Sequence, residues 1–241
     1  MSLKGQRIVV IGGSSGIGFA VASAALADGA EVVIGSSNPQ NVEAAVAKLG
    51  AGASGHAIDV KTESDVAAFF EKVGALDHLV FTAGDWGGRG GRPLTDTKFA
   101  EAQNLFAVRF WGALAAVKHA VPRLAERGSI VLTNGTVAHR PQKGRPISTA
   151  MAGSLEHLTR ALAVDLAPIR VNIVCPAGIR TDVWNSIPEH QREARFAEMT
   201  RRQPLARIGE PSEVAEAYLY AMRAGYTTGQ VLLVDGGTTV V

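Results

Sequence analysis

Three glycines, Gly12, Gly16 and Gly18, stand between an apolar β-branched run and a helix-like one. Glycine lets a chain turn tightly and brings backbone amides close to an anion, and the start of a helix favours negative charge there. The chemistry this spacing suits is the cradling of a phosphate. Other reactive types are few. Cys175, the single cysteine, follows the apolar residues 171–174 and reads as a buried structural thiol. It can form no internal disulfide, and no cysteine–histidine cluster has zinc spacing, so no metal is expected. His139 shares a loop with Arg140, Lys143 and Arg145 and is the residue there that titrates near neutral pH. Solvated charge is the simpler reading of a loop so basic. The chain has three tyrosines, Tyr218, Tyr220 and Tyr226, all near its end.

The elements that must position these residues follow from composition and periodicity. At 241 residues the chain suits one sizeable domain, 1–241, with no linker-like stretch dividing it. Apolar residues make up 46% and charged ones 19%, a globular balance. Lys and Arg outnumber Asp and Glu by only 24 to 22, with no long basic run, so no nucleic-acid partner is expected. No apolar stretch reaches the roughly 20 residues of a membrane span. The first residues run straight into a strand-like segment, which leaves no room for a signal peptide, and the lone cysteine fits a reducing cytoplasm. Short apolar runs over 8–11, 31–34, 55–60, 78–82, 129–133, 171–175 and 231–234 read as strands covered on both faces. Helix-length segments over 17–27, 41–49, 64–73 and 99–126 lie between them, and another opens near Ser148 and closes at Pro168. This alternation predicts an α/β fold, a Rossmann-type doubly wound sheet of about seven parallel strands with helices on both faces. Residues 180–210 are polar and charged, contain Trp184, Pro188 and Pro204, and follow a strand's carboxyl end, where a segment can cover a site as a lid.

The spacing Gly-x-x-x-Gly-x-Gly is one of several ordered signals. Asp59-Val60, Thr82-Ala83-Gly84, "RVNIVCPAGIRTD", "PLARIGEPSEVA" and "TTGQVLLVDGG" follow it along the chain. Together they resemble the short-chain dehydrogenase/reductase family, from about Gly5 to the end. The resemblance implies a nicotinamide dinucleotide with its phosphates on Gly12, Ser14, Ser15, Gly16, Ile17 and Gly18. It implies adenine at Asp59 and Val60, which would end the third strand. The turn Thr82, Ala83 and Gly84 lies further along, and Pro176, Ile179 and Thr181 would surround the nicotinamide amide. After the second strand, where an acidic residue would accept the ribose hydroxyls, the chain reads Gly35-Ser36-Ser37-Asn38. Ser36, Ser37 and Asn38 can receive a 2′-phosphate, so NADP(H) is favoured over NAD(H). With no Arg or Lys in that stretch, a polar turn that accepts both is the other reading.

In that family a tyrosine moves the proton, a lysine four residues later lowers its pKa, a serine thirteen residues before it orients the substrate, and an asparagine supports a relay. The resemblance puts Ser148, Ala152, Gly135 and Arg109 at those four places. The residues four beyond the tyrosines are Met222, Ala224 and Gln230, so no Tyr-x-x-x-Lys exists in the chain. No lysine follows Lys143 either, which removes the longer spacing of the family's enoyl reductases. Ser148 is a weak acid and a natural helix N-cap. Arg109 can stabilise an oxyanion or form a salt bridge, but a guanidinium is no general acid. Asn134 can donate to a carbonyl oxygen or satisfy backbone at a strand end. Trp86, Trp184 and Phe110 would make a pocket partly apolar. The expected function is an atypical NADP(H)-dependent oxidoreductase acting on a carbonyl/alcohol pair or an activated alkene. The alternatives are an inactive dinucleotide-binding sensor or partner subunit, and a non-redox enzyme. The resemblance also implies a homotetramer or homodimer, with residues 238–241 in a subunit contact.

Overall fold

The computed structural model describes residues 2–84 and 93–241. Seven strands, β1 (Arg7–Ile11), β2 (Glu31–Ser36), β3 (Ala53–Ala57), β4 (Leu76–Phe81), β5 (Leu124–Thr133), β6 (Arg170–Pro176) and β7 (Val231–Val234), form one sheet in the order β3-β2-β1-β4-β5-β6-β7. Every pairing is parallel. The helices are α1 (Gly16–Ala27), α2 (Pro39–Leu49), α3 (Glu63–Val73), α4 (Phe99–Phe106), α5 (Ala113–Ala120), α6 (Pro146–Asp165), α7 (Glu189–Thr200) and α8 (Pro211–Arg223). The chain winds outward through β1, β2 and β3 and then returns to lay β4 against the other side of β1. That reversal opens a crevice beyond the carboxyl ends of β1 and β4.

Alternation along the central strands sends successive side chains to two cores, as β-sheet pleating requires. Val9, Ile11, Leu79, Phe81, Ile130 and Leu132 pack with α3, α4, α5 and α6 on one face. Ile8, Val10, Val80, Val131 and Val174 pack with α1, α2 and α8 on the other. Cys175 is fully buried in β6.

Two expected elements need correcting. The third strand is not residues 55–60: β3 is the sheet's edge, and its ladder ends at Ala57 opposite Ser36. Beyond Ser36 the neighbouring chain turns away, because the Asn38 side chain accepts the Asn41 amide at 3.0 Å and starts α2. Residues 58–60, Asp59 and Val60 included, therefore leave the sheet. A single helix over 99–126 is also wrong. After α4 comes a π-helical segment, Ala107–Gly112, then α5 and a 3₁₀ turn, Val121–Arg123. Pro122 cannot continue the amide ladder, and residues 124–126 already belong to β5. The π segment packs at Gly112 on the segment that follows β3, where a Cβ would come 2.9 Å from Val60 Cγ2.

Two buried polar groups tie the layers together. Arg170, the first residue of β6, donates to the carbonyls of Met222 (2.6 Å) and Ala224 (3.0 Å) and so closes the C-terminus of α8. His78 on β4 lies 2.8 Å from Ser129 Oγ on β5 and 3.2 Å from Gln6 Oε1. Because a glutamine carbonyl can only accept, His78 donates from Nε2 and accepts at Nδ1, which is the neutral ring. Burial, with the nearby Arg170 charge second, pushes its pKa from 6.5 to about 4. In the window between those values the unfolded chain binds the proton and the folded one does not. Stability is therefore unaffected by this group above pH 6.5 and declines as pH falls toward 4, by about 3 kcal/mol in all. Urea unfolding at pH 7.5 and 4.5 should show this loss in the wild type and less of it in His78→Gln. An equal acid loss in both proteins would contradict the assignment.

Candidate functional site

The crevice beyond β1 and β4 is a cleft of about 530 Å³. It runs from Ser36, Ser37, Ile58, Asp59 and Val60 at one end to Gly84, Thr181 and Val183 at the other. The β1–α1 turn is its floor, where Gly12 and Gly16 have left-handed φ of +90° and +53°. A Cβ on Gly12 would lie 2.5 Å from Ala83 N and 2.6 Å from Thr82 Oγ1, and one on Gly18 would strike the Gly12 carbonyl. A Cβ on Gly16 would reach within 3.3 Å of Thr181 and close the gap between the two walls. Ser15 precedes α1 in extended conformation, and its hydroxyl does not cap the helix. The first-turn amides of α1 are thus available to an anion, with the helix dipole behind them. A narrow, glycine-lined gap ending on a helix N-terminus fits a dinucleotide's diphosphate.

Gly12, Ser14, Ser15, Gly16, Ile17, Gly18, Ser36, Ser37, Asp59, Val60, Thr82, Ala83, Gly84 and Thr181 all line this cleft. Asn38 is not among them; its side-chain oxygen caps α2. Pro176 and Ile179 line the neighbouring cavity instead. At the β2 end, Ser14 Oγ donates to Ser36 Oγ at 2.9 Å, and no carboxylate follows the strand before Asn38. Lys61 also lines the cleft and went unnoticed in the sequence, although it directly follows Asp59-Val60.

A second cavity, of about 360 Å³, adjoins the first and shares Ile17, Thr181 and Val183 with it. Arg109, Asn134 and Ser148 all line it, with Gly135, Thr136 and Ala152. Arg109 comes from the π segment and is only 3% exposed. Its guanidinium lies against Gly84, in the space a Cβ there would need. The segment 180–210 supplies Trp184, Arg195, Met199, Thr200 and Gln203 from a 3₁₀ turn, α7 and the following loop. Trp184 is fixed by its indole N–H, which donates to the Ile179 carbonyl at 2.8 Å. Phe110 packs on the first core and against Trp111, and Trp86 lies outside the described residues.

The structure narrows what three polar residues can do. Ser148 is not a helix N-cap: α6 starts at Pro146 with Arg145 in the capping position, so Ser148 sits inside the first turn. Asn134 has both amide hydrogens committed, to Ala152 O at 3.0 Å and Glu156 Oε1 at 3.1 Å, which leaves none for a substrate carbonyl. His139 is not merely solvated, because its Nε2 is 2.8 Å from Glu156 Oε1. Glu156 and Cys175 sit with His139 in one cluster. Burial, then Glu156, pushes the Cys175 thiol up to about 12, so it stays protonated. The cluster works as an anchor between α6, the loop before it and β6. None of the three tyrosines lines either cavity. Tyr220 and Tyr226 are exposed. Tyr218 is sealed in the core with its hydroxyl 2.7 Å from Thr133 Oγ1, and burial pushes its phenol well above the usual range.

Comparison with known proteins bears on this arrangement. A family model described as "Enoyl-(Acyl carrier protein) reductase" matches residues 11–239. The "Short-chain dehydrogenase/reductase ATR9" of Stachybotrys chlorohalonatus is 37% identical over 252 residues, covering 98% of each chain. Among solved structures, the MalC reductase/Diels-Alderase of Malbranchea aurantiaca is similar with a TM-score of 0.92 at 30% identity, covering 99% of this chain and 98% of that one. A small-chain dehydrogenase in complex with NADPH is similar with a TM-score of 0.84 at 30% identity, covering 99% and 100%.

The Gly16 geometry gives a direct test of the cleft. Gly16→Val places a β-branched side chain in a left-handed conformation facing Thr181, which is both strained and obstructive. Fluorescence titration should show dinucleotide affinity at least roughly tenfold weaker, with an unchanged far-UV circular dichroism spectrum. Wild-type affinity in this variant would mean that the phosphates do not sit on this turn.

Proposed function

The chain belongs to the short-chain dehydrogenase/reductase family, a family of nicotinamide-dinucleotide oxidoreductases, and from that premise we propose that it is an NADP(H)-dependent reductase of a carbonyl or activated alkene that works without a tyrosine acid. The observation that carries this reading is the buried Arg109 guanidinium against Gly84, where the dinucleotide cleft meets the second cavity. Bound in the cleft, a reduced nicotinamide supplies hydride. Negative charge then develops on the substrate oxygen, and a buried guanidinium is suited to hold it. Arg109 stays protonated throughout and gives up no proton; the proton that completes the alcohol comes from solvent water. Thr136 and Ser148, which line the same cavity, orient the substrate.

The NADP(H) preference rests on Ser36 and Ser37 at the cleft's end, joined there by Ser14 and with Lys61 also in its lining. Residues 180–210 act as a lid, because Trp184 and, on α7, Arg195, Met199 and Thr200 line the second cavity. A homotetramer or homodimer fits the exposed apolar residues Phe99 and Trp111 near the π segment and Val164, Tyr226 and Val240 elsewhere.

The test is turnover with NADPH deuterated at the transferring C4 position, against a panel of aldehydes, ketones and enones. Label should appear on the reduced carbon. Arg109→Gln should lower kcat by about 10²–10³-fold while dinucleotide affinity changes little, and Arg109→Lys should recover part of the loss. Bound cofactor with no label transfer across the panel would favour a sensor, and an unchanged kcat in Arg109→Gln would remove the arginine from the mechanism.

A further inference from the structure

Outside both cavities, three side chains with metal-ligating atoms converge from three separate elements. His139 comes from the loop between β5 and α6, Glu156 from α6 and Cys175 from β6. Their ligand atoms, a ring nitrogen, a carboxylate oxygen and the thiol sulfur, all lie within 4.8 Å of one another. None of the three lines the dinucleotide cleft or the second cavity, and the proposed reaction uses none of them. The three positions are far apart in the chain, so no short motif marks the cluster and only the winding of the sheet assembles it.

Nitrogen, oxygen and sulfur donors together suit zinc, whereas magnesium and calcium take oxygen alone. Donor atoms around a tetrahedral zinc stand about 3.3–3.8 Å apart. His139 and Glu156, 2.8 Å apart, need only open slightly, and the Cys175 sulfur needs only a small approach. Cys175 is fully buried and Glu156 nearly so, while His139 is partly exposed and leaves a way in for an ion. The group that orients the carboxylate is in place, since Asn134 Nδ2 donates to Glu156 Oε1 at 3.1 Å. On the same amide, Asn134 Oδ1 is buried and has no hydrogen-bond partner among the described residues. Arg160 reaches the other Glu156 oxygen only at 3.8 Å and from an exposed position. The spot is therefore rich in acceptors and short of buried donors, which suits a cation.

We propose that His139, Glu156 and Cys175 form a zinc site, with water as the fourth ligand on the open His139 side. As the zinc–sulfur bond forms, the Cys175 thiol gives its proton to solvent, and the imidazole carries its proton on Nδ1 so that Nε2 binds the ion. Each ligand adjoins the wall of the second cavity: His139 follows Thr136 and Val137, Glu156 lies one turn beyond Ala152, and Cys175 precedes Pro176. The ion fastens that wall and touches neither substrate nor dinucleotide. Its role is structural and does not depend on the oxidoreductase reading.

The test is titration of the untagged, chelator-treated full chain with Co²⁺, whose spectrum reports its ligands. A single equivalent should bind with a thiolate-to-cobalt charge-transfer band in the near ultraviolet, and Zn²⁺ should remove that band by displacement. Because the chain has one cysteine, the band reports Cys175 alone, and it should vanish in Cys175→Ser. Cobalt affinity should fall at least roughly tenfold in His139→Gln and in Glu156→Gln, with far-UV circular dichroism checking that each variant folds. Zn²⁺ should raise the thermal unfolding midpoint of the wild type and leave that of Cys175→Ser unmoved. Cobalt binding without the charge-transfer band, affinity unchanged in His139→Gln, a wild-type midpoint that zinc does not raise, or no binding at all would each overturn the proposal.

Discussion

The Ile11 carbonyl accepts three hydrogen bonds from the exit of the neighbouring strand, from the amides of Thr82 and Ala83 at 2.8 and 3.1 Å and from the Thr82 hydroxyl at 3.0 Å. This fastens the end of β4 to the end of β1 at the point where the strand order reverses. Neither Gly12 nor Gly18 can carry a side chain so close to that junction. The tight turn that results aims the start of α1 into the crevice, and Gly84 follows the fastened residues at the cleft's far end. Arg109 then occupies the space over Gly84. The position of the buried charge is thus a consequence of backbone packing several residues away.

A buried arginine is costly unless its surroundings compensate it. Here the charge sits where an anion develops in the proposed reaction, and its fixed position lets it stabilise that anion without reorganisation. The rest of the second cavity is held rigid without reference to any phenol. Asn134 and His139 both meet Glu156 on α6, and Asn134 also ties the Ala152 carbonyl. These bonds fix the helix that presents Ser148 and Ala152 to the cavity. A scaffold so anchored keeps its shape even though none of its tyrosines reaches the site.

Strand positions, the parallel sheet and the glycine turn were legible in the sequence because each depends on local pattern. All seven expected strands exist; continuous β-branched runs mark those buried on both faces, whereas the edge strand β3, ASGHA, is largely exposed. The end of β3 was not legible: Ile58 and Val60 are as apolar as a strand residue, and only the loss of a partner beyond Ser36 takes them out of the sheet. The break in the helix at residues 107–112 was hidden for a similar reason, as "AVRFWG" carries no proline and one glycine. The orientation of Asn134 depends on Glu156, twenty-two positions away, and no short-range signal encodes that. Lys61 is different. Its adjacency to Asp59-Val60 was visible and could have been read as a cleft residue. Arg195 could likewise have been noticed within the segment expected to cover the site.

The most direct measurement is an equilibrium fluorescence titration of the full chain with NADPH and NADH side by side. The account predicts saturable binding of both, with NADPH the tighter, because Ser36 and Ser37 stand where a carboxylate would repel its additional phosphate. Binding of neither would contradict the account at its base, since the cleft beyond β1 and β4 would then hold no dinucleotide.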